Sequence, residues 1–84
     1  MTYSLKIKGS AVKEIQQLSN PDRLRVVAAI DSLKEHPHVG TLLKGQFTGL
    51  RRIRVGHFRV IYEVQDALLV VLVLRVGHRR DVYR

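Results

Sequence analysis

The stretch Leu50-Arg51-Arg52-Ile53-Arg54-Val55-Gly56-His57-Phe58-Arg59-Val60-Ile61-Tyr62 decides the fold. Two runs rich in β-branched and aromatic residues flank Gly56-His57, which is the sequence form of a β-hairpin with a two-residue turn. A two-residue turn also fixes register: Val55 falls opposite Phe58, Arg54 opposite Arg59, and Arg52 opposite Ile61. Side chains alternate along a strand, so Arg52, Arg54 and Arg59 share one sheet face. Ile53, Val55, Phe58, Val60, Tyr62 and Val64 share the other, with Tyr62 expected in the core.

Downstream, a turn at Gln65-Asp66-Ala67 leads into a third strand over residues 68–76, whose first seven residues are apolar without a break. Such a run suits a central strand covered on both faces. Carried across that turn, the alternation assigns Val71, Val73 and Arg75 to the arginine face and Leu72 and Leu74 to the apolar one. Upstream, residues 37–49 hold Pro37, Gly40, Gly45 and Gly49 and read as a loop. Before them come two helical patterns. Ala11, Val12, Ile15 and Leu18 recur at helical spacing behind Ser10, a capping residue, and Val26, Val27, Ile30 and Leu33 do so behind Asn20-Pro21-Asp22. The short joint between them implies an antiparallel helical hairpin. At the N-terminus, Tyr3, Leu5 and Ile7 alternate with Ser4, Lys6 and Lys8 as a half-buried strand. The expected class is α+β in the order β-α-α-β-β-β, with the helical hairpin on one face of a mainly antiparallel four-stranded sheet.

Eighty-four residues make one domain, taken as residues 1–84. No cysteine is present, which excludes disulfides and thiolate metal sites and suits a reducing cytoplasm. The longest apolar run is eight residues, where a membrane span needs about 20, and the N-terminus has no apolar signal region. No membrane association is expected. The net charge is +8 and is unevenly spread: nine of the 15 basic residues lie in residues 43–84, and eight of those nine are arginines. Arginine grips phosphate through a planar fork of donors, so a polyanionic partner is implied.

The arginine face breaks a local rule. Like charges directly opposite each other destabilise a sheet, and no acidic residue lies between Arg54 and Arg59. The plain alternative is a solvated face whose arginines splay into water. Uncompensated opposition on a rigid strand pair favours an anion site instead, because such conflicts are expected where function is placed. His36 and His38 have no acidic or cysteine partner at metal-ligand spacing and read as a helix-ending loop. No metal and no cofactor are expected. A passive nucleic-acid-binding module would want a basic recognition helix or stacking aromatics; the helices carry few basic residues and aromatics are 6%.

The hairpin, together with the closing run Val76-Gly77-His78-Arg79-Arg80-Asp81-Val82-Tyr83, resembles the RelE branch of the RelE/ParE toxin superfamily, over nearly the whole chain. The resemblance implies a microbial-RNase-like fold and a toxin of a type II toxin–antitoxin system. Its activity would be metal-independent, ribosome-dependent cleavage of mRNA in the A site, arresting translation and growth. It also implies a cytoplasmic location and a RelB-like antitoxin that wraps the toxin in a hetero-oligomeric complex. By motif, Arg52, Arg54, Arg59, Arg79 and Tyr83 take the catalytic positions, with His78 as the rival acid or base. Arg52 and Arg54 stand where the best-known relative often has lysine, and an arginine there stays protonated. Lys44, Arg51, Arg75 and Arg80 are the further candidate contacts to RNA or ribosome. ParE-like members share the fold and the basic strands but usually lack the closing tyrosine. They imply the alternative, inhibition of DNA gyrase without nuclease chemistry.

Overall fold

The computed structural model describes residues 2–78. Strand β1 (Ser4–Ile7) is followed by helices α1 (Gly9–Gln16) and α2 (Asn20–Ser32), then by strands β2 (Thr41–Leu42), β3 (Arg51–Val55), β4 (Phe58–Gln65) and β5 (Val70–His78). The sheet runs β1-β5-β4-β3-β2. All neighbours pair antiparallel except β1, which runs parallel to β5. β1 and β2 are thus the two edges of the sheet: the helical hairpin carries the chain from one edge to the other, and the antiparallel run β2-β3-β4-β5 returns it to lie parallel beside β1. Among the described residues, no helix is long and apolar enough to cross a membrane.

Both helices are held by tertiary packing, since eight residues of α1 could not persist alone. Ser19 precedes α2 and its hydroxyl donates to the Asp22 carboxylate at 3.0 Å, while Pro21 occupies the first turn. The helix stops before Pro37, whose ring restricts the residue ahead of it. Ala11 and Ile15 of α1, and Val26 and Ile30 of α2 with Leu33, are buried against Val60, Tyr62, Val71, Val73 and Val76 of the sheet. Val12 and Val27, read from their spacing as part of the buried stripes, instead face outward, Val27 with 48% of its surface exposed. The stripe each helix buries is one residue narrower than the pattern suggests.

Two further expectations are corrected. Residues 37–49 are not all loop: Thr41 and Leu42 pair with Arg52 and Arg51, and Gly45–Phe47 form a 3-10 turn. The sheet therefore has five strands, not four. Second, β5 changes face partway along. Tyr62 pairs with Val73 but Ile61 pairs with Arg75, so Leu74 is an extra residue in a β-bulge. That insertion puts Val71 and Val73, both fully buried, on the helix side, opposite to the assignment that unbroken alternation gives. Leu72, between them, is turned away from the helices in exchange.

Candidate polyanion site on the open sheet face

The hairpin register matches the sequence reading. Val55 pairs with Phe58, Arg54 with Arg59, and Arg52 with Ile61. Gly56, at φ 61°, supplies the left-handed residue that a two-residue turn needs at this point. Across β4, Arg59 faces Gly77 and Ile61 faces Arg75. The face turned away from the helices therefore carries Arg54 beside Arg59 in one row, and Arg52, Ile61 and Arg75 in the next. Ile61 is buried, with 3% of its surface exposed, between neighbours that are both arginines. Arginine stems cover apolar surface while their heads stay in water, so the row packs without giving up its charge. Arg54 is exposed; Arg52 and Arg59 are half-buried. Three guanidiniums on two paired strands make a rigid array of donors suited to a phosphate backbone.

The other candidates divide. Arg75 sits in the arginine rows by register, but its Nε donates to the Glu14 carboxylate of α1 at 3.3 Å. Arg51 lies in the register row of the core residue Tyr62 and works on the fold: its Nη1 donates to the carbonyls of His38 (3.1 Å) and Gly40 (2.9 Å). Lys44 is exposed just ahead of the Gly45–Phe47 turn. His78 pairs with Phe58, and the two rings meet edge-on at 6.1 Å. Phe58 packs against the helix-side core, so His78 stands on that side and not beside Arg54 and Arg59. The His57 ring stacks nearby at 6.2 Å. Arg79, Arg80 and Tyr83 lie outside the described residues.

Three features escaped the sequence reading. Tyr62, as expected, is fully buried, yet its hydroxyl also clamps the loop after α2: it donates to Pro37 O (2.8 Å) and accepts from Gly40 N–H (2.9 Å). Burial pushes the Tyr62 phenol above its ordinary value, against lowering by the Gly40 hydrogen bond and the Arg51 charge. A β-carbon at Gly40 would lie 2.5 Å from the Tyr62 hydroxyl and 2.8 Å from Arg52 O, which is why the position is glycine. At the opposite end of the sheet from the hairpin, Asp66 accepts from Tyr3 OH (2.6 Å) and pairs with His38 Nε2 (2.8 Å), tying β1, the loop and the β4–β5 turn together. Those hydrogen bonds, Tyr3 first, hold the Asp66 carboxyl below its ordinary value and the Tyr3 phenol above it. Glu14 is the third. It falls beside Ala11 and Ile15 on α1, one turn ahead of Leu18, and a carboxylate beside an apolar stripe is the signal that could have marked it.

Comparison with known proteins agrees with this geometry. Residues 5–83 match the family model described as the ParE toxin of the type II toxin–antitoxin system parDE. Over its full length the chain is 30% identical to toxin RelG of Mycobacterium tuberculosis, covering 99% of that protein. The toxin–antitoxin complex RelBE2 of the same organism superposes with a TM-score of 0.86 at 28% identity, over 94% of this chain and 100% of that one. The archaeal RelE–RelB complex from Pyrococcus horikoshii does so at 0.78 and 32% identity, over 98% of this chain and 100% of that one. A two-helix layer on a mixed sheet, basic opposed strands and this likeness along the whole chain place the protein in the RelE/ParE superfamily of type II toxin–antitoxin toxins.

Proposed function

We propose that this toxin is a metal-independent endoribonuclease that cuts mRNA in the ribosomal A site. The observation that carries the reading is the direct opposition of Arg54 and Arg59, with Arg52 in the adjoining row. A gyrase-binding surface needs no convergent guanidiniums, whereas charge building on phosphorus does. RNA supplies its own nucleophile. The 2′-OH attacks the adjacent phosphorus, the P–O5′ bond breaks, and the products are a 2′,3′-cyclic phosphate and a 5′-hydroxyl. One proton leaves the 2′-OH and one goes to O5′.

In this reading Arg59 and Arg79 clamp the scissile phosphate, and Arg52 and Arg54 stabilise the charge on its non-bridging oxygens. Tyr83 takes the 2′-OH proton. Its ordinary pKa is about 10, and surrounding guanidiniums favour the phenolate. The placement of His78 beside Phe58 on the helix side supports Tyr83 over His78 as the base. A RelB-like antitoxin partner is proposed from the likeness to the RelBE complexes, and its acidic groups would neutralise the basic face. The match to the ParE family model keeps gyrase inhibition as the second reading.

The test is a translation reaction with purified protein, mapping new 5′ ends on a defined message. Tyr83→Phe should keep the fold and antitoxin binding and lose cleavage by at least about 100-fold, the usual range for a general base. Full cleavage by that variant removes Tyr83 from the chemistry. An intact message with accumulating DNA breaks selects the gyrase reading.

A further inference from the structure

β1 ends at Ile7, opposite Val73, so among the described residues no strand flanks the rest of β5 on that side. The Lys8 N–H still reaches Val73 O at 2.9 Å, and there the pairing stops. At the open edge beyond it, Val76 N–H donates to Glu14 Oε1 at 3.0 Å, and Arg75 Nε donates to Glu14 Oε2 at 3.3 Å. A backbone N–H and a guanidinium N–H, set by the bulge at Leu74 to converge on two oxygens of one planar anion, are the donor set that also binds a phosphate oxyanion. The occupant is the chain's own carboxylate. Neither partner is sealed off: the side chains of Arg75 and Glu14 are 37% and 27% exposed. An open groove of about 300 Å³, lined in part by Gln17, Leu18 and Gly77, leads to them. The cradle borders the arginine rows, because Arg75 adjoins Ile61 and Gly77 adjoins Arg59.

We propose that Arg75 and the Val76 N–H form a second oxyanion site at the edge of the basic sheet, which Glu14 occupies as a built-in phosphate mimic. Glu14 thereby keeps one guanidinium out of reach of a bound phosphate backbone and caps the toxin's affinity for it. The inference rests on the reading that the basic face takes a phosphate backbone, but not on cleavage.

The probe is a short labelled oligothymidylate, which has no 2′-OH to be cut, bound to the full chain and followed by fluorescence anisotropy across salt. Each single-strand phosphate contact adds about 0.7 to the slope of log K against log salt. Glu14→Gln keeps an acceptor for Val76 N–H and removes the charge; its slope should steepen by about 0.7. That is an extra loss of about 2.6-fold between roughly 50 and 200 mM salt. Arg75→Ala alone should leave the wild-type slope unchanged, and the double variant should return to it. Glu35→Gln, at an exposed residue, makes the same change in net charge and should not steepen the slope. An unchanged slope in folded Glu14→Gln, or equal steepening in Glu35→Gln, overturns the proposal. So does a flattened slope in Arg75→Ala, which also decides the matter should Glu14→Gln not fold. Absence of any binding by the wild type overturns both this and the phosphate-backbone reading, whereas binding without message cleavage leaves the cradle standing and removes the nuclease.

Discussion

Replacing Tyr62 by Phe removes one oxygen and strands two backbone groups. The hydroxyl is the partner of both Pro37 O and Gly40 N–H, and Pro37 and Gly40 are themselves buried. A buried backbone donor or acceptor left without a partner costs about 1–3 kcal/mol, while the hydrogen bonds themselves contribute about 1 kcal/mol each. Phe keeps the ring, so packing against Val60 and Val73 changes little. The expected loss is about 2–4 kcal/mol. For a domain of this size each kcal/mol moves Tm by roughly 4–8 °C, giving a fall of roughly 8–32 °C. Urea melts followed by circular dichroism measure the loss, and amide exchange at Gly40 localises it, since that N–H loses its acceptor. Arg51 still holds the carbonyls of His38 and Gly40, so the defect should be local to the loop. A stability change below about 0.5 kcal/mol would mean that water satisfies both groups, and would refute the clamp.

Arg54→Glu replaces a like-charged cross-strand pair with an opposite one, so stability should rise by about 0.2–1 kcal/mol while oligonucleotide affinity falls; a destabilised variant would show that the opposed arginines are not in conflict. Asp66 is held below its ordinary pKa by Tyr3 and His38, so its contribution is present above the unfolded carboxylate value near 3.9 and is lost as pH falls through the lower folded value. Tyr3 is held above its ordinary value chiefly by Asp66, so its contribution is present below about pH 10 and is lost as pH rises beyond that. Asp66→Asn should flatten the acid limb of a plot of Tm against pH, and an unaltered limb would refute the tether.

Much of this was legible because the hairpin turn is only two residues long. That fixes the register of Arg52, Arg54 and Arg59 outright, and with it which face the helices cover. The helical hairpin followed from spacing, though Val12 and Val27 show that spacing marks a face and not its width. β2 was not legible, because alternation cannot show itself over two residues. The bulge at Leu74 was hidden by the apolar run itself: with every residue from Leu68 to Leu74 apolar, nothing in the pattern records a change of face. At the site, the arginines declared themselves by type and register. The engagement of Arg75 by Glu14 did not, since the two are 61 residues apart and meet only where β1 runs out.

In the proposed function the arginine face serves phosphoryl chemistry on ribosome-bound RNA. The direct measurement is the end chemistry of message recovered from ribosomes programmed with a defined codon and treated with the wild-type toxin in the presence of EDTA-stripped protein stocks. New 5′-hydroxyl ends are expected inside the A-site codon, matched by 2′,3′-cyclic phosphate on the upstream fragment, and both should be lost with Arg59→Ala. An intact message under conditions where the toxin still arrests growth would contradict it and make the basic face a protein-binding surface.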